Sequence, residues 1–244
     1  MLQQRKAVVV GSAGGIGTRL CEMLSDSGWT LVLAGRNTEN IEAQRRTLGG
    51  GVDSSHTLDA SDFDSFDDLL AQHQDATALV NLAGSILLKP SSSTSREDFD
   101  RTVSQNLTTA FACVRAAGKH MRKNGGSVVL MSSCAAQIGL SNHEAISAAK
   151  AGVEGLVRSA AASYASNGIR FNAVAPGLVE TPLASGILSS DPARKASESM
   201  HPLKRIGQPE EIARVIRMLM EPESSWITGQ VIGVDGGMAT VRPK

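Results

Sequence analysis

Six short runs of β-branched and other apolar residues punctuate the chain: KAVVV from Lys6, TLVLA from Thr30, TALVNLA from Thr77, SVVLMS from Ser127, IRFNAV from Ile169 and VIGVD from Val231. Each reads as a strand, and a weaker strand is expected at residues 56–58. Between the runs, apolar residues recur at helical spacing. Helices are expected at 16–27 before Gly28, at 39–48 before a glycine triplet, at 62–72, and over a long stretch of about 95–123 that stops at NGG. SNHE reads as a capping box, Ser141 with Glu144, opening a helix at Ser141, and a last helix opens with Pro209 in its first turn. Strand and helix in alternation predict an α/β fold, a parallel sheet covered on both faces, because right-handed crossovers lay the helices there. Residues 183–207, with Gly186, Pro192 and Pro202, read as an irregular segment able to act as a lid. Neither a repeat nor a linker divides residues 1–244, so a single domain is expected.

Composition narrows the partners. The 24 basic and 24 acidic side chains cancel, which removes the electrostatic reason for nucleic acid or an anionic membrane as partner. Aromatic residues are only 3% of the chain, too few for base-stacking platforms. Cys21, Cys113 and Cys134 are far apart without metal-ligand spacing, so free thiols are expected, and neither a disulfide framework nor a metal site. The apolar run after Arg5 and Lys6 is too short for a signal segment, and a cytoplasmic protein is expected.

The chemistry begins at VVVGSAGGIG, residues 8–17, where a strand feeds a glycine turn and then an apolar helix. That order suits a phosphate cradle: Gly11 for the tight turn, Gly15 for close approach of backbone to diphosphate, Gly17 for packing of helix on strand. The doubly wound Rossmann-type sheet that binds dinucleotides is the fold this implies. A carboxylate for a ribose hydroxyl belongs at the end of the second strand, but LVLAGRN places Gly35 and Arg36 there. Arg36 is suited to pair with a 2′-phosphate, which favours NADP over NAD.

With these pieces placed, the chain resembles the short-chain dehydrogenase/reductase family over nearly its whole length, particularly its bacterial 3-oxoacyl-carrier-protein-reductase-like members. GSAGGIG resembles the family's nucleotide turn, which brings Ser12 and Ile16 beside the three glycines. LDASD resembles its adenine contact at Asp59, and NLAG, with Asn81, Ala83 and Gly84, its N-N-A-G strand end. QNL places Asn106 where the family keeps a structural and proton-relay asparagine. APGLVET, with Pro176, Gly177 and Thr181, resembles the loop that seats the nicotinamide amide, and ITGQVIGVDGG the final strand. The resemblance implies a small-molecule substrate, an oxidoreductase, and a homotetramer or homodimer.

The family's chemistry uses a Y-x-x-x-K pair, one helical turn apart, with the tyrosine moving the proton and the lysine holding the cofactor's ribose hydroxyls and lowering the tyrosine's pKa. Here the lysine is Lys150, Ser133 falls at the substrate-positioning serine, and the tyrosine position holds Ile146. Tyr164, the sole tyrosine, lies eighteen residues further on, roughly 27 Å along a helix. His143, seven before Lys150, is the alternative acid by spacing, though at a helix start the dipole disfavours imidazolium. Two functions follow: an oxidoreductase with a non-standard proton source, His143, water near Lys150 or the substrate itself, or a nucleotide-binding pseudoenzyme with a structural or regulatory role.

Overall fold

A computed structural model describes residues 5–242. Its strands are β1 (Lys6–Val10), β2 (Thr30–Gly35), β3 (Val52–Thr57), β4 (Ala78–Asn81), β5 (Gly126–Met131), β6 (Ile169–Pro176) and β7 (Val231–Val234). The helices are α1 (Gly15–Asp26), α2 (Thr38–Leu48), α3 (Phe63–Gln72), α4 (Arg96–Val103), α5 (Thr109–His120), α6 (Glu144–Tyr164), α7 (Asp191–Met200) and α8 (Pro209–Met220). The seven strands form one sheet in the order β3-β2-β1-β4-β5-β6-β7, and every neighbouring pair is parallel. This is the doubly wound α/β architecture expected from the alternation of runs.

The two faces of the sheet explain why the central runs are continuously apolar. On β1, Val8 and Val10 face a core built with α3, α5 and α6, whereas Ala7 and Val9 face a core built with α1 and α8. A strand covered on both sides has no solvent face to mark with polar residues. Between β1 and β4 the strand order reverses, and at such a switch point the chain ends of neighbouring strands diverge into a crevice.

Four expectations need correction. The stretch at 95–123 is not one helix: a π-helical turn, Ser104–Thr108, separates α4 from α5. Asn106 sits in it, its Nδ2 donating to the Thr102 carbonyl at 2.9 Å and competing for the backbone ladder. The weak strand begins at Val52, because as an edge strand β3 is only partly covered and carries the polar alternation VDSSHT. Segment 183–207 contains α7, capped by Ser190 with Pro192 in its first turn, a position where proline starts a helix and does not break one. The Ser141–Glu144 capping box does not form: α6 starts at Glu144 behind Asn142, whose φ of 65° turns the chain and leaves His143 at the cap with no side-chain bond to the helix N–H groups.

Candidate functional site

The crevice is a cleft of about 620 Å³ at the carboxyl ends of the strands. Its floor on one side is the turn after β1. Gly11 has a φ of 82°, a left-handed conformation natural to glycine, and its N–H donates to the Ala34 carbonyl at 2.8 Å. A Cβ on Gly17 would collide with the carbonyls of Gly11 and Ser12, so only glycine lets α1 start against the end of β1. Gly14 caps α1 without a side chain, and the first-turn N–H groups of Gly15, Ile16 and Gly17 have no intrahelical acceptor. These N–H groups and the helix dipole form an anion cradle. The loop after β6 closes over it, for a Cβ on Gly15 would lie 2.8 Å from Thr181 Cγ2.

Along the rim beyond β2, the cleft is lined by Arg36, Asn37, Asn40, Asp59 and Ser61. Arg36 is exposed. Asp59 Oδ1 accepts from the Ser61 N–H at 2.9 Å and its hydroxyl at 2.8 Å, and these bonds, with the nearby Arg36 charge, hold its carboxyl below the usual range.

At the other end, the strand exit after β4 passes between two functional groups. A Cβ on Gly84 would lie 3.0 Å from Asn106 Oδ1 and 3.5 Å from Lys150 Nζ. Asn106 Oδ1 accepts from the Ser85 N–H at 3.2 Å, so the asparagine side chain pins this exit. Lys150 is buried, its Nζ donates to the Met131 carbonyl at 2.9 Å, and burial lowers its pKa to about 8. One turn earlier on α6, Ile146 is 5% exposed and also lines the cleft. Ser132 and Ser133 both line it. The Ser132 hydroxyl donates to Glu154 at 2.9 Å, whereas Ser133 Oγ accepts from the Ala135 N–H at 3.2 Å.

The structure thus brings Gly11, Gly15, Ile16, Gly17, Arg36, Asp59, Ala83, Gly84, Asn106, Ser133, Ile146, Lys150, Pro176, Gly177 and Thr181 to one cleft. Three expected residues stand outside its lining. Ser12 is fully buried and its hydroxyl finds no partner, because the turn directs it away from the cradle. Asn81 acts from behind, its Oδ1 accepting from the Ala83 N–H at 3.1 Å. His143 keeps its Nδ1 2.8 Å from the Ser141 carbonyl, at the helix start and off the cleft face. Tyr164, half-buried, packs on Phe171 and into the space left by Gly118, against the core that α6 shares with α5 and away from the cleft lining. In segment 183–207, Leu183 lines the cleft, while Ile187, Leu188 and Met200 do not. Sequence reading missed Asn37, Ser104 and Gln105. Asn37 had a signal, since it caps α2 directly after the second strand; the other two lie on the π turn, which no periodicity announces.

The glycine cradle, the unclaimed N–H groups and the exposed arginine fit a dinucleotide laid across the strand ends. Known proteins agree. A family model described as enoyl-(acyl carrier protein) reductase matches residues 11–239. A 3-oxoacyl-[acyl-carrier-protein] reductase of Thermotoga maritima is 33% identical over 249 residues, covering 97% of this chain and 98% of the relative. A solved structure titled short chain dehydrogenase/reductase family protein superposes with a TM-score of 0.90 at 32% identity, covering 99% of this chain and 100% of that one. Another, ElxO with NADP bound, gives 0.90 at 26% identity, covering 98% and 100%.

Proposed function

This chain belongs to the short-chain dehydrogenase/reductase family, and we propose that it is an NADP(H)-linked oxidoreductase acting on a small carbonyl, imine or activated alkene without tyrosine as proton donor. The observation that carries this reading is the pairing of Ile146 and Lys150, one turn apart on α6 and both lining the cleft. In the family resemblance the first of these positions belongs to the tyrosine.

The cofactor supplies hydride exchange at its nicotinamide ring; the chain must hold it, orient the substrate and manage the proton. The unclaimed N–H groups of Gly15, Ile16 and Gly17, in the turn shaped by Gly11 and Ser12, are assigned the diphosphate, and Arg36 the 2′-phosphate that favours NADP over NAD. Asp59 is assigned the adenine side, and Ala83, Gly84, Pro176, Gly177 and Thr181 the wall that seats the nicotinamide, with Asn81 holding Ala83 from behind. Ser133 orients the substrate by hydrogen bonding its polar atom. Ile146 fills the volume of a phenol and keeps water from that spot, but has no proton to give.

The remaining acid inside the cleft is Lys150. With a pKa of about 8 it is mostly ammonium near neutral pH, and it can deliver a proton directly or through a water held near Asn106. His143 lies off the cleft face, which supports Lys150 over it as the source. A ketone needs an acid placed at the developing alkoxide; an activated C=C bond, which spreads its charge as an enolate, or a C=N bond already protonated needs less help, so these substrates suit the site better. The missing phenol equally motivates a second reading, a nucleotide-binding pseudoenzyme. The homotetramer or homodimer implied by the resemblance is part of the proposal, supported by Phe99 and Phe111, which stand exposed on α4 and α5.

The test compares wild type with Ile146→Tyr on ketones, imines and enoyl thioesters with NADPH. Restoring a positioned acid should raise ketone reduction by about 10²- to 10⁴-fold, while wild type reduces an imine or alkene substrate. Equal ketone turnover by both proteins overturns the argument from Ile146. NADPH binding with no wild-type turnover of any class assigns the pseudoenzyme reading instead.

A further inference from the structure

Away from the cleft, at the outer edge of the sheet, three polar atoms converge. Ser54 and His56 lie two apart on β3 and so share a face, the one that Val32 and Ala34 present to the α3 core. His73, the residue that ends α3, comes in from the helix layer. His56 Nε2 and His73 Nε2 are 3.0 Å apart, and the Ser54 hydroxyl oxygen is 2.9 Å from the first and 3.2 Å from the second. The rings meet nearly perpendicular, at 79°.

Without an ion the triangle is satisfied by a relay, one histidine Nε2–H donating to the Ser54 oxygen and the Ser54 hydroxyl donating to the other Nε2. The relay leaves one group unserved. His73 Nδ1 is buried with no hydrogen-bond partner, 3.7 Å from Asp53 Oδ2. That arrangement has another use. A ring whose outer nitrogen faces a carboxylate while its inner nitrogen converges with a second imidazole is the second-shell pattern of metal-bound histidine.

We propose that His56 Nε2, His73 Nε2 and the Ser54 hydroxyl form a binding site for a divalent late-transition-metal ion, best suited to Cu²⁺ or Ni²⁺, with Asp53 orienting His73 from behind. Among the described residues no three His, Cys, Asp or Glu side chains gather into a metal group, so the protein supplies two imidazoles and a hydroxyl, and water completes the shell at the open sheet edge. The bite supports the choice of metal. With metal–nitrogen bonds of about 2.0–2.1 Å, nitrogens 3.0 Å apart subtend an angle nearer a right angle than a tetrahedral one, which suits tetragonal ions over Zn²⁺.

The surroundings are compatible with a cation. Desolvation pushes the pKa of both histidines below the ordinary value, leaving the imidazoles neutral and able to ligate near neutral pH. Lys6 is close by, and its ammonium is taken by Asp53 at 2.9 Å and Asp75 at 3.0 Å, so the group of three carries a net negative charge. A bound ion would clip the edge strand to the end of α3, two residues before the Leu58–Asp59 wall of the cleft.

The experiment uses the full chain, stripped with chelator and titrated with Cu²⁺ and separately Ni²⁺, followed by calorimetry and by electron paramagnetic resonance of the copper form. One equivalent bound, a tetragonal spectrum with two imidazole nitrogens and a higher Tm with metal are expected, since an ion that binds the folded chain stabilises it. His56→Gln and His73→Gln should each remove that equivalent, and Asp53→Asn should weaken it by roughly 10-fold or more. His56 is on the edge strand, so its variant carries the test should His73→Gln fail to fold. No binding by wild type, or unchanged stoichiometry and affinity in His56→Gln, overturns the site.

Discussion

The two walls of the cleft are built from different materials. The wall after β1 is backbone: Gly11 in its left-handed turn, Gly17 with no room for a methyl group, and three N–H groups at the start of α1. The wall between α6 and the end of β5 is side chain: Ile146 and Lys150 from α6, and Ser133 from the turn after β5. At Gly17 the backbone wall tolerates almost no substitution, because a Cβ there would collide with the fixed carbonyls of Gly11 and Ser12. A side-chain site lets the residue one turn before the lysine vary with the fold intact, so chemistry there can change without disturbing the cradle.

The largest effect that would break this contrast is at Lys150. Lys150→Met should lower turnover by about 10²- to 10⁴-fold yet raise stability, since a buried ammonium is removed. The shift from 10.5 to about 8 sets an upper bound of about 3 kcal/mol, read from denaturant unfolding. The sign follows from the depressed folded-state pKa: the cost is fully present below about pH 8 and fades as pH rises from there toward 10.5. Wild-type reduction should fall across the same rise, as the ammonium loses its proton. A Lys150→Met protein no more stable than wild type at pH 7 would mean that burial does not strain the amine.

On the backbone wall the order inverts, with fold and binding failing together. Gly17→Ala should destabilise the chain by about 1–3 kcal/mol through overpacking and weaken NADPH binding in the same protein, checked by melting and fluorescence titration. Retained stability and affinity would deny the rigid-cradle account. The smallest effect sharpens the contrast at the rim. Arg36→Ala should weaken NADPH by about ten- to a hundredfold, the worth of one charged hydrogen-bonding group, and leave NADH unchanged. Equal losses for both cofactors would discard the 2′-phosphate contact.

The legibility of the molecule follows the same division. The central strands were readable because burial on both faces demands unbroken apolar runs, as at Val8–Val10 against two cores. Edge strand β3 was read late, since half of it answers to solvent. The glycine turn was readable because its constraint is local: each glycine answers to atoms within a few residues, Gly17 to Gly11 and Ser12. Asn106 was identified by motif alone, while the π turn around it, and with it Ser104 and Gln105, depends on the Thr102 carbonyl and the Ser85 N–H. The capping box at Ser141 failed because Asn142 turns the chain first, a backbone choice that residue spacing does not encode.

Residue order alone determined the alternating α/β plan, the phosphate turn, the lysine and the isoleucine one helical turn before it, because periodicity and short-range sterics act between near neighbours. Only the tertiary structure decided that Ser12 and His143 stay off the cleft while the exit at Gly84 runs between Asn106 and Lys150. It alone set His56 against His73 across a strand and a helix end. Such placements come from packing elements far apart in the chain, and a shared face of one helix or strand carries no record of what lies opposite.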